Sequence, residues 1–454
     1  MSFEANEILV IAMLSSFILL IFTGFPVAWL LAGISVLFSV GAIFLSSYFD
    51  VDTYFLTDWR IFGVMVQRIF SQMSNWVLVA LPMFIFMGLM LERSGIAERL
   101  MKSFIQLFGR FRGGLGVAVV TIGILLAAST GIVGASVVLL AMLSLPVMLE
   151  QRYSPSFAAG VVASAGTLGI LIPPSIMLII MADQLSVSVG NLFMGALVPG
   201  IMLGVMYILY VVIAAFVNPK LAQPPRDLPP VTWRLVWQTL LAVIPPLALI
   251  LAVLGSIFFG IATPTEAAGV GALGATILAL LNGRLSYSVL RDVCQKTAIT
   301  TAFVFGIFLG ATAYAVVLRS LGGDEFIGGL LRGIPLSPEG IVLVILFITF
   351  ISGFFLDWLE ISLILLPLVG PVVVALGFDL TWFIVLFALV LQTSFLTPPV
   401  GFSLFYLKGV VPPEIRTKDI YKGVIPFIVI QVLAVLIVFK WESIVLWLPG
   451  IMYG

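Results

Sequence analysis

The chemistry this chain can do rests on two carboxylates and two proline pairs set in long apolar stretches. Asp357 and Glu360 lie in Ser352-Gly353-Phe354-Phe355-Leu356-Asp357-Trp358-Leu359-Glu360, the only charges in residues 341–376. A carboxylate at the centre of a bilayer costs about 2.5 to 3.5 kcal/mol even on the lenient insertion scale. A bound cation offsets that cost, and a turn that reaches water avoids it. Pro173-Pro174 and Pro398-Pro399 each interrupt an apolar helix pattern. Proline removes a backbone donor and clashes with the carbonyl one turn back, so the helix must open. Opened carbonyls are hard oxygen donors suited to Na⁺, while the half-helix that follows offers free amides and a positive dipole end to an anion. A packing kink is the structural alternative. Either way the chemistry is that of binding. The chain has no His and a single Cys, Cys294, so a disulfide within the chain, a thiolate metal cluster and a histidine base are all unavailable. No Gly-Lys pair occurs, so no P-loop is encoded. Asp357 with Glu360 is the one candidate acid/base pair; an embedded enzyme acting on a lipid-linked substrate and an ion channel are the readings to weigh against a carrier.

These elements occur twice. Pro173-Pro174 and Pro398-Pro399 are 225 positions apart, and so are Pro146 and Pro371. An apolar hairpin precedes each broken helix. The first spans 113–149 without a charge and has at its middle Ser129-Thr130-Gly131-Ile132-Val133-Gly134-Ala135-Ser136, small and uncharged, unlike a typical exposed turn. Irregular backbone at membrane depth survives only where protein or a water-filled cavity surrounds it. The second hairpin turns at 352–360. Two thin complete spans are the alternative to a re-entrant hairpin in each case. Paired interruptions at matching places in two repeats are the best sequence-level pointer to a midplane binding site.

A membrane must position all of this. Hydrophobic residues make up 62% of the 454 and charged residues 9%, and the mean hydropathy is +1.25. No soluble core hides that much apolar surface. Ten spans are expected near 8–23, 25–46, 76–92, 155–183, 192–217, 236–258, 265–282, 298–318, 381–408 and 424–447. The first follows Glu4 and Glu7 rather than a basic region, which fits a retained span and not a signal peptide. Gly24-Phe25-Pro26 splits the first apolar region in two. Basic residues cluster in four connections: Arg93, Arg99, Lys102, Arg110 and Arg112; Lys220, Arg226 and Arg234; Arg284, Arg291 and Lys296; Lys408, Arg416, Lys418 and Lys422. Threading the spans puts all four on one side, the cytoplasm by the positive-inside rule, with both termini outside. The first hairpin then enters from the cytoplasm and the second from outside. Residues 50–75, with Trp59, Arg60, Arg68 and Trp76, fit an interfacial arm or an ordinary loop. Thr263-Pro264-Thr265-Glu266 has the spacing of a capping box, with contact to substrate or ion as the alternative, and Arg319 reads as a snorkelling arginine, with attraction of an anion or a partner protein as the alternative.

The fold class expected is an all-α polytopic membrane protein with inverted repeats, two re-entrant hairpins and two Pro-Pro-broken helices; the family resemblance given below implies that these are arranged as an elevator. It divides into scaffold spans and arm (1–112), a first transport half (113–185), scaffold spans of the second repeat (186–340), a second transport half (341–409) and a C-terminal span (410–454).

At these residues the chain resembles the DctM-like large membrane subunit of the tripartite ATP-independent periplasmic (TRAP) transporters, from Gly24-Phe25-Pro26-Val27-Ala28 onward. Residues 169–175, 263–269, 353–357 and 397–401 carry the likeness. The resemblance implies a permease and not an enzyme: a Na⁺-coupled symporter in the bacterial inner membrane that imports a small organic acid, such as a 2-oxo acid. It implies a small DctQ-like membrane subunit and a DctP-like periplasmic solute-binding protein as partners, besides the lipid bilayer, and no nucleic acid. Na⁺ is the implied coupling ion. Carried over, one cation site involves Ser129, Thr130, Gly131, Gly169, Ile172 and Pro174, and the other Gly353, Asp357, Thr397 and Pro399. The substrate falls to Ser136, Thr167, Pro173, Ser175, Thr265, Gln392, Thr393 and Pro398. The family commonly reads Ser-Gly-Ser at the first tip; here Thr130-Gly131-Ile132 lacks the third hydroxyl, which Ser129 or backbone carbonyls would replace.

Overall fold

A computed structural model describes residues 4–108, 111–130, 133–223 and 232–453. Among the described residues every regular element is a helix. The chain runs α1 (Ala5–Ile21), α2 (Val27–Phe49), α3 (Arg60–Met73), α4 (Ala80–Arg93), α5 (Ile96–Phe108), α6 (Gly114–Thr130), α7 (Val133–Glu150), α8 (Pro155–Thr167), α9 (Ile176–Gln184), α10 (Val189–Val217), α11 (Trp233–Phe258), α12 (Pro264–Leu281), α13 (Tyr287–Ser320), α14 (Gly323–Arg332), α15 (Pro338–Ser352), α16 (Trp358–Ala375), α17 (Leu380–Leu396), α18 (Phe402–Lys408), α19 (Thr417–Lys440) and α20 (Ser443–Tyr453). Among the described residues, nine helices are long and apolar enough to cross a membrane. The protein is a multi-pass membrane protein.

Local sequence sets many of the boundaries. Gly24, at φ 79°, breaks α1 from α2 where the Gly-Phe-Pro signal placed the turn. Thr263 and Glu266 form the expected capping box on α12: Glu266 N–H donates to Thr263 Oγ1 at 3.3 Å, and Thr263 N–H donates to Glu266 Oε2 at 2.8 Å. Residues 60–73 form an amphipathic helix, α3, with Ile61 and Met65 buried, in keeping with the amphipathic-arm reading of this segment and not with the loop. Two features differ from the sequence expectation. The basic connection after α4 contains α5, whose Ile96, Ala97, Leu100, Met101 and Phe104 are buried while Arg99 and Lys102 face outward; one narrow apolar stripe gives no span signal. The last span does not run through 424–447, because α19 ends at Lys440 and α20 begins at Ser443. The polar pair Lys440 and Glu442 marks that stop.

The chain forms two compact units. One comprises Met1–Trp76, Ile299–Phe347 and Leu356–Leu380. In it, Gly310 of α13 leaves no room for a side chain, since a Cβ there would sit 2.5 Å from the Ala28 carbonyl oxygen of α2. Asn6 Nδ2 donates to the Leu321 carbonyl at 3.3 Å, tying α1 to the end of α13.

The other unit comprises Val77–Ala298, Ile348–Phe355 and Thr381–Gly454. Its centre is α8, which packs on α6, α7 and α19 and is buried from Phe157 to Thr167. Gly160 of α8 and Gly423 of α19 meet backbone to backbone, and a Cβ at Gly166 would overlap Val137 of α7. Small residues permit this approach where apolar burial against lipid gives no drive. The basic connections come together within this unit. Arg93 pairs with Asp292 at 2.6 Å, Arg284 with Glu98 at 3.5 Å, and Arg99 donates to Asn282 Oδ1 at 2.6 Å. Ser154 N–H reaches the Leu221 carbonyl at 2.9 Å, and Ser156 Oγ donates to Asp419 at 3.0 Å. Tyr153 closes the same end by accepting the Leu115 N–H at 3.2 Å. Burial pushes its phenol up to about 12, so it stays protonated.

Candidate site at the two helix breaks

Each broken helix opens where its second proline withholds an N–H. In the first, α8 passes into a 3₁₀ turn at Leu168–Ile170, then Pro173-Pro174, then α9. Pro174 cannot donate to Ile170, one turn back. Ser175 Oγ does so instead, at 2.7 Å. In the second, α17 ends at Leu396, Pro398-Pro399 follows, and α18 begins at Phe402. Pro399 leaves the Phe395 carbonyl without its helical donor, and Ser403 Oγ supplies the bond at 2.6 Å. Ile170 and Phe395 are themselves 225 positions apart, so the two repeats cap the same carbonyl by the same means. Both Pro-Pro bonds are cis.

The surroundings of the breaks differ. Every residue from Leu171 to Ala182 is buried, whereas Thr397, Pro398 and Val400 are half-buried and Pro399 is exposed. At the second break Thr397 Oγ1 donates to the Thr393 carbonyl at 2.7 Å, Gly401 N–H donates to the Thr397 carbonyl at 3.1 Å, and Tyr421 Oη donates to the Pro399 carbonyl at 3.0 Å. Gly401 needs its missing side chain, because a Cβ would crowd the carbonyl oxygens of Phe395 and Thr397.

Parts of both hairpins pack within the unit that holds the breaks. Helices α6 and α7 pack together, and α7 touches α18, with Gly134 set against the Tyr406 ring. Gly131 and the side chains of Ser129 and Thr130 lie outside the described residues. In the second hairpin, Gly353 brings the end of α15 onto α17: a Cβ there would meet Ser394 Oγ at 2.6 Å, and Ser394 Oγ donates to the Phe350 carbonyl at 2.8 Å. Asp357 caps α16 by accepting the Trp358 N–H at 2.8 Å. Glu360, one turn into α16, is 4% exposed, and its Oε2 has no hydrogen-bond partner. Gly353, Thr397 and Pro399 belong to the second compact unit, Asp357 and Glu360 to the first.

The substrate-side residues divide three ways. Pro173, Ser175 and Pro398 form the breaks themselves. Thr167 and Gln392 meet each other, Gln392 Nε2 donating to Thr167 Oγ1 at 3.2 Å, both fully buried. Thr393 Oγ1 turns back to its own helix at Leu389, Ser136 is buried in the first turn of α7, and Thr265 opens α12, which packs on α4 and α11. Sequence reasoning missed Ser394 and Ser403. Ser394 had a signal: it stands 225 positions after Gly169, which was already in the expected cation site. Among the described residues no group of three or more His, Cys, Asp or Glu side chains comes together. A metal at these breaks would be held chiefly by carbonyl and hydroxyl oxygens, hard donors of the kind that suit Na⁺.

Residues 14–444 match the family described as the DctM component of the tripartite ATP-independent periplasmic transporters. The chain belongs to that family. The C4-dicarboxylate TRAP transporter large permease protein DctM of Vibrio cholerae is 30% identical over 410 residues, covering 86% of this chain and 89% of the relative. The 2,3-diketo-L-gulonate TRAP transporter large permease protein YiaN of Escherichia coli is 28% identical, with 93% and 95% covered. The Alcanivorax borkumensis YdaH transporter shares the fold, with a TM-score of 0.60 at 15% identity over 84% of this chain and 88% of that one. The DctM membership bears out the resemblance read from the two breaks: the protein is a transporter permease subunit and not an enzyme.

Proposed function

We propose that this DctM-family chain is the translocating subunit of a Na⁺-coupled importer of a small organic anion. Its partners are a small membrane subunit and a periplasmic solute-binding protein, and it sits in the bacterial cytoplasmic membrane with both termini outside. The observation that carries this reading is the pair of equivalent helix breaks, 225 positions apart, each with its opened carbonyl capped by a serine hydroxyl. Helices interrupted at matching places in two repeats are the arrangement expected of a midplane binding site. The names of the relatives point to carboxylates.

In this reading Ser129, Thr130, Gly131, Gly169, Ile172 and Pro174 hold one Na⁺, and Gly353, Asp357, Thr397 and Pro399 the other. The carboxylate of Asp357 supplies formal charge while also capping α16. The substrate anion lies beside Ser136, Pro173, Ser175, Thr393 and Pro398, where the start of α9 presents a positive dipole end. Cation binding orders the tips, which completes the anion site, and the coupling is reciprocal by thermodynamic necessity. The two hairpins and broken helices then carry the anion across as a unit, an elevator motion.

Uptake into proteoliposomes containing the small subunit, with the binding protein outside, tests the reading. Collapse of the Na⁺ gradient is expected to abolish concentrative uptake, and Asp357→Ala to lower the apparent Na⁺ affinity by tenfold or more, on the order expected for loss of a charged ligand. Undiminished uptake without the gradient would overturn Na⁺ coupling.

A further inference from the structure

The bond between Gln392 and Thr167 joins residues 225 positions apart, the offset that relates the two repeats. Each stands six positions before its own Pro-Pro pair. Equivalent positions of two repeats can touch each other only where the repeats meet, so this contact lies on the line that relates them. The surroundings are polar in a way an apolar interior does not tolerate casually. Tyr207 of α10 and Gln431 of α19 lie beside this pair. All four side chains are fully buried. Gln392 Oε1, Tyr207 Oη and both amide atoms of Gln431 have no hydrogen-bond partner at bonding geometry. Keeping such atoms in the core is costly and is accepted where a polar contact specifies one arrangement over others.

We propose that the Gln392–Thr167 hydrogen bond is a strut between the repeats: Gln392 and Thr167 are positioning residues that hold the two helix breaks in register, so that a change at one break is felt at the other. Thr167 already anchors its own helix end through Oγ1 to the Ser164 carbonyl at 2.8 Å. A pull on Gln392 is therefore delivered to the last turn of α8, next to the first break. The opposite path runs from Thr167 through Gln392 into α17, where the Thr397 hydroxyl at the second break bonds back to the Thr393 carbonyl. The strut extends the carrier reading in one respect, that occupancy of the two breaks is coupled, but its geometry does not depend on which ion or anion binds.

Hydrogen–deuterium exchange on the complex of this chain with its small subunit tests the strut without any transport. Thr167→Val, nearly isosteric, is expected to speed exchange roughly fivefold in peptides covering 391–402, in the other repeat, as the loss of one net hydrogen bond allows. Gln392→Met is expected to do the same for peptides covering 166–176. The exchanged double variant T167Q/Q392T keeps both partners and is expected to return both regions toward the wild-type rate. Ser144→Ala is the control, since Ser144 bonds only to Leu140 of its own helix, and it is expected to leave both breaks unchanged. Single variants that loosen only their own repeat would overturn the strut, as would a double variant no closer to wild type than the singles. In uptake assays Gln392→Met is expected to flatten the cooperativity of Na⁺ activation. If the wild type shows no Na⁺ dependence, the cation reading fails while the exchange data still decide the strut.

Discussion

The two helix breaks make the same repair in different settings. At each, the second proline orphans the carbonyl four residues earlier, Ile170 or Phe395, and a serine hydroxyl from beyond the break replaces the missing donor. In the first repeat the serine is the next residue, Ser175, and the break is sealed among α6, α7 and α10, with Gly200 of α10 leaving room only for Ile172. In the second repeat the serine is four residues on, Ser403, inside α18, and Thr397 to Val400 remain partly open. The repair is fixed by backbone chemistry, because an unpaired buried carbonyl is expensive wherever it lies. The enclosure is set by the neighbours each copy has acquired, and so the copies diverge there. In this structure the first break is enclosed and the second partly exposed.

The sharpest way to break that contrast is to add volume beside the sealed copy. Gly166→Val would drive a side chain into the Val137 backbone, where a Cβ alone would lie 2.8 Å from Cα. Overpacking of this kind costs about 1 to 3 kcal/mol or more, and the expected outcome is loss of monodisperse protein on size-exclusion chromatography. A well-folded variant would mean that α7 and α8 can part, and that the first break is not sealed.

Removing the two serine caps gives a smaller effect and compares the copies directly. Ser175→Ala is expected to destabilise by about 1 to 3 kcal/mol, the range for leaving a buried acceptor unsatisfied. Ser403→Ala is expected to cost a similar amount, because Ser403 and Phe395 are as buried as Ser175 and Ile170 even though Thr397 to Val400 are partly open. Thermal unfolding of the two variants side by side checks this, and a clearly smaller loss for Ser403→Ala would mean that the opening at the second break reaches the Phe395 carbonyl. The gentlest test is labelling. Val400→Cys is expected to react with a hydrophilic maleimide and Ile176→Cys to stay protected, in a background where exposed Cys294 is replaced by Ser. Comparable rates at both would show the two breaks equally accessible.

Much of this arrangement was legible before any coordinates. Proline states its own consequence, so Pro173-Pro174 and Pro398-Pro399 located the breaks, and the 225-residue offset paired them. Thr263 and Glu266 announced a helix start because a capping box is a purely local device. The Gly24 turn was visible for the same reason. What stayed hidden depends on distant neighbours. Ser403 looked like an ordinary helix residue until the path of α18 brought it back to Phe395. Tyr207 and Gln431 gave no local signal at all, since their significance comes from four helices converging. Thr167 and Gln392 were placed on the substrate side as polar residues near the breaks, and the structure turns them toward each other. The repeat offset that paired the prolines also pairs these two, and would have found the contact had it been applied to every polar residue. Helix α5 was hidden because only a stripe of it is apolar, and α20 because a single hydropathy peak spans two helices.

Helix α19 contacts both the helix that leads into the first break and the second break itself. Its Gly423 lies on the backbone of α8 at Ser156 and Gly160, and its Tyr421 hydroxyl holds the Pro399 carbonyl. With no side chains to act as a cushion at Gly160 and Gly423, α8 has no freedom to slide or roll independently of α19. A spectroscopic reporter on the outward side of α19, for instance at Ile425, which is 54% exposed, would thus follow the sealed helix from a place where a dye can be attached, turning an inaccessible displacement into a measurable one.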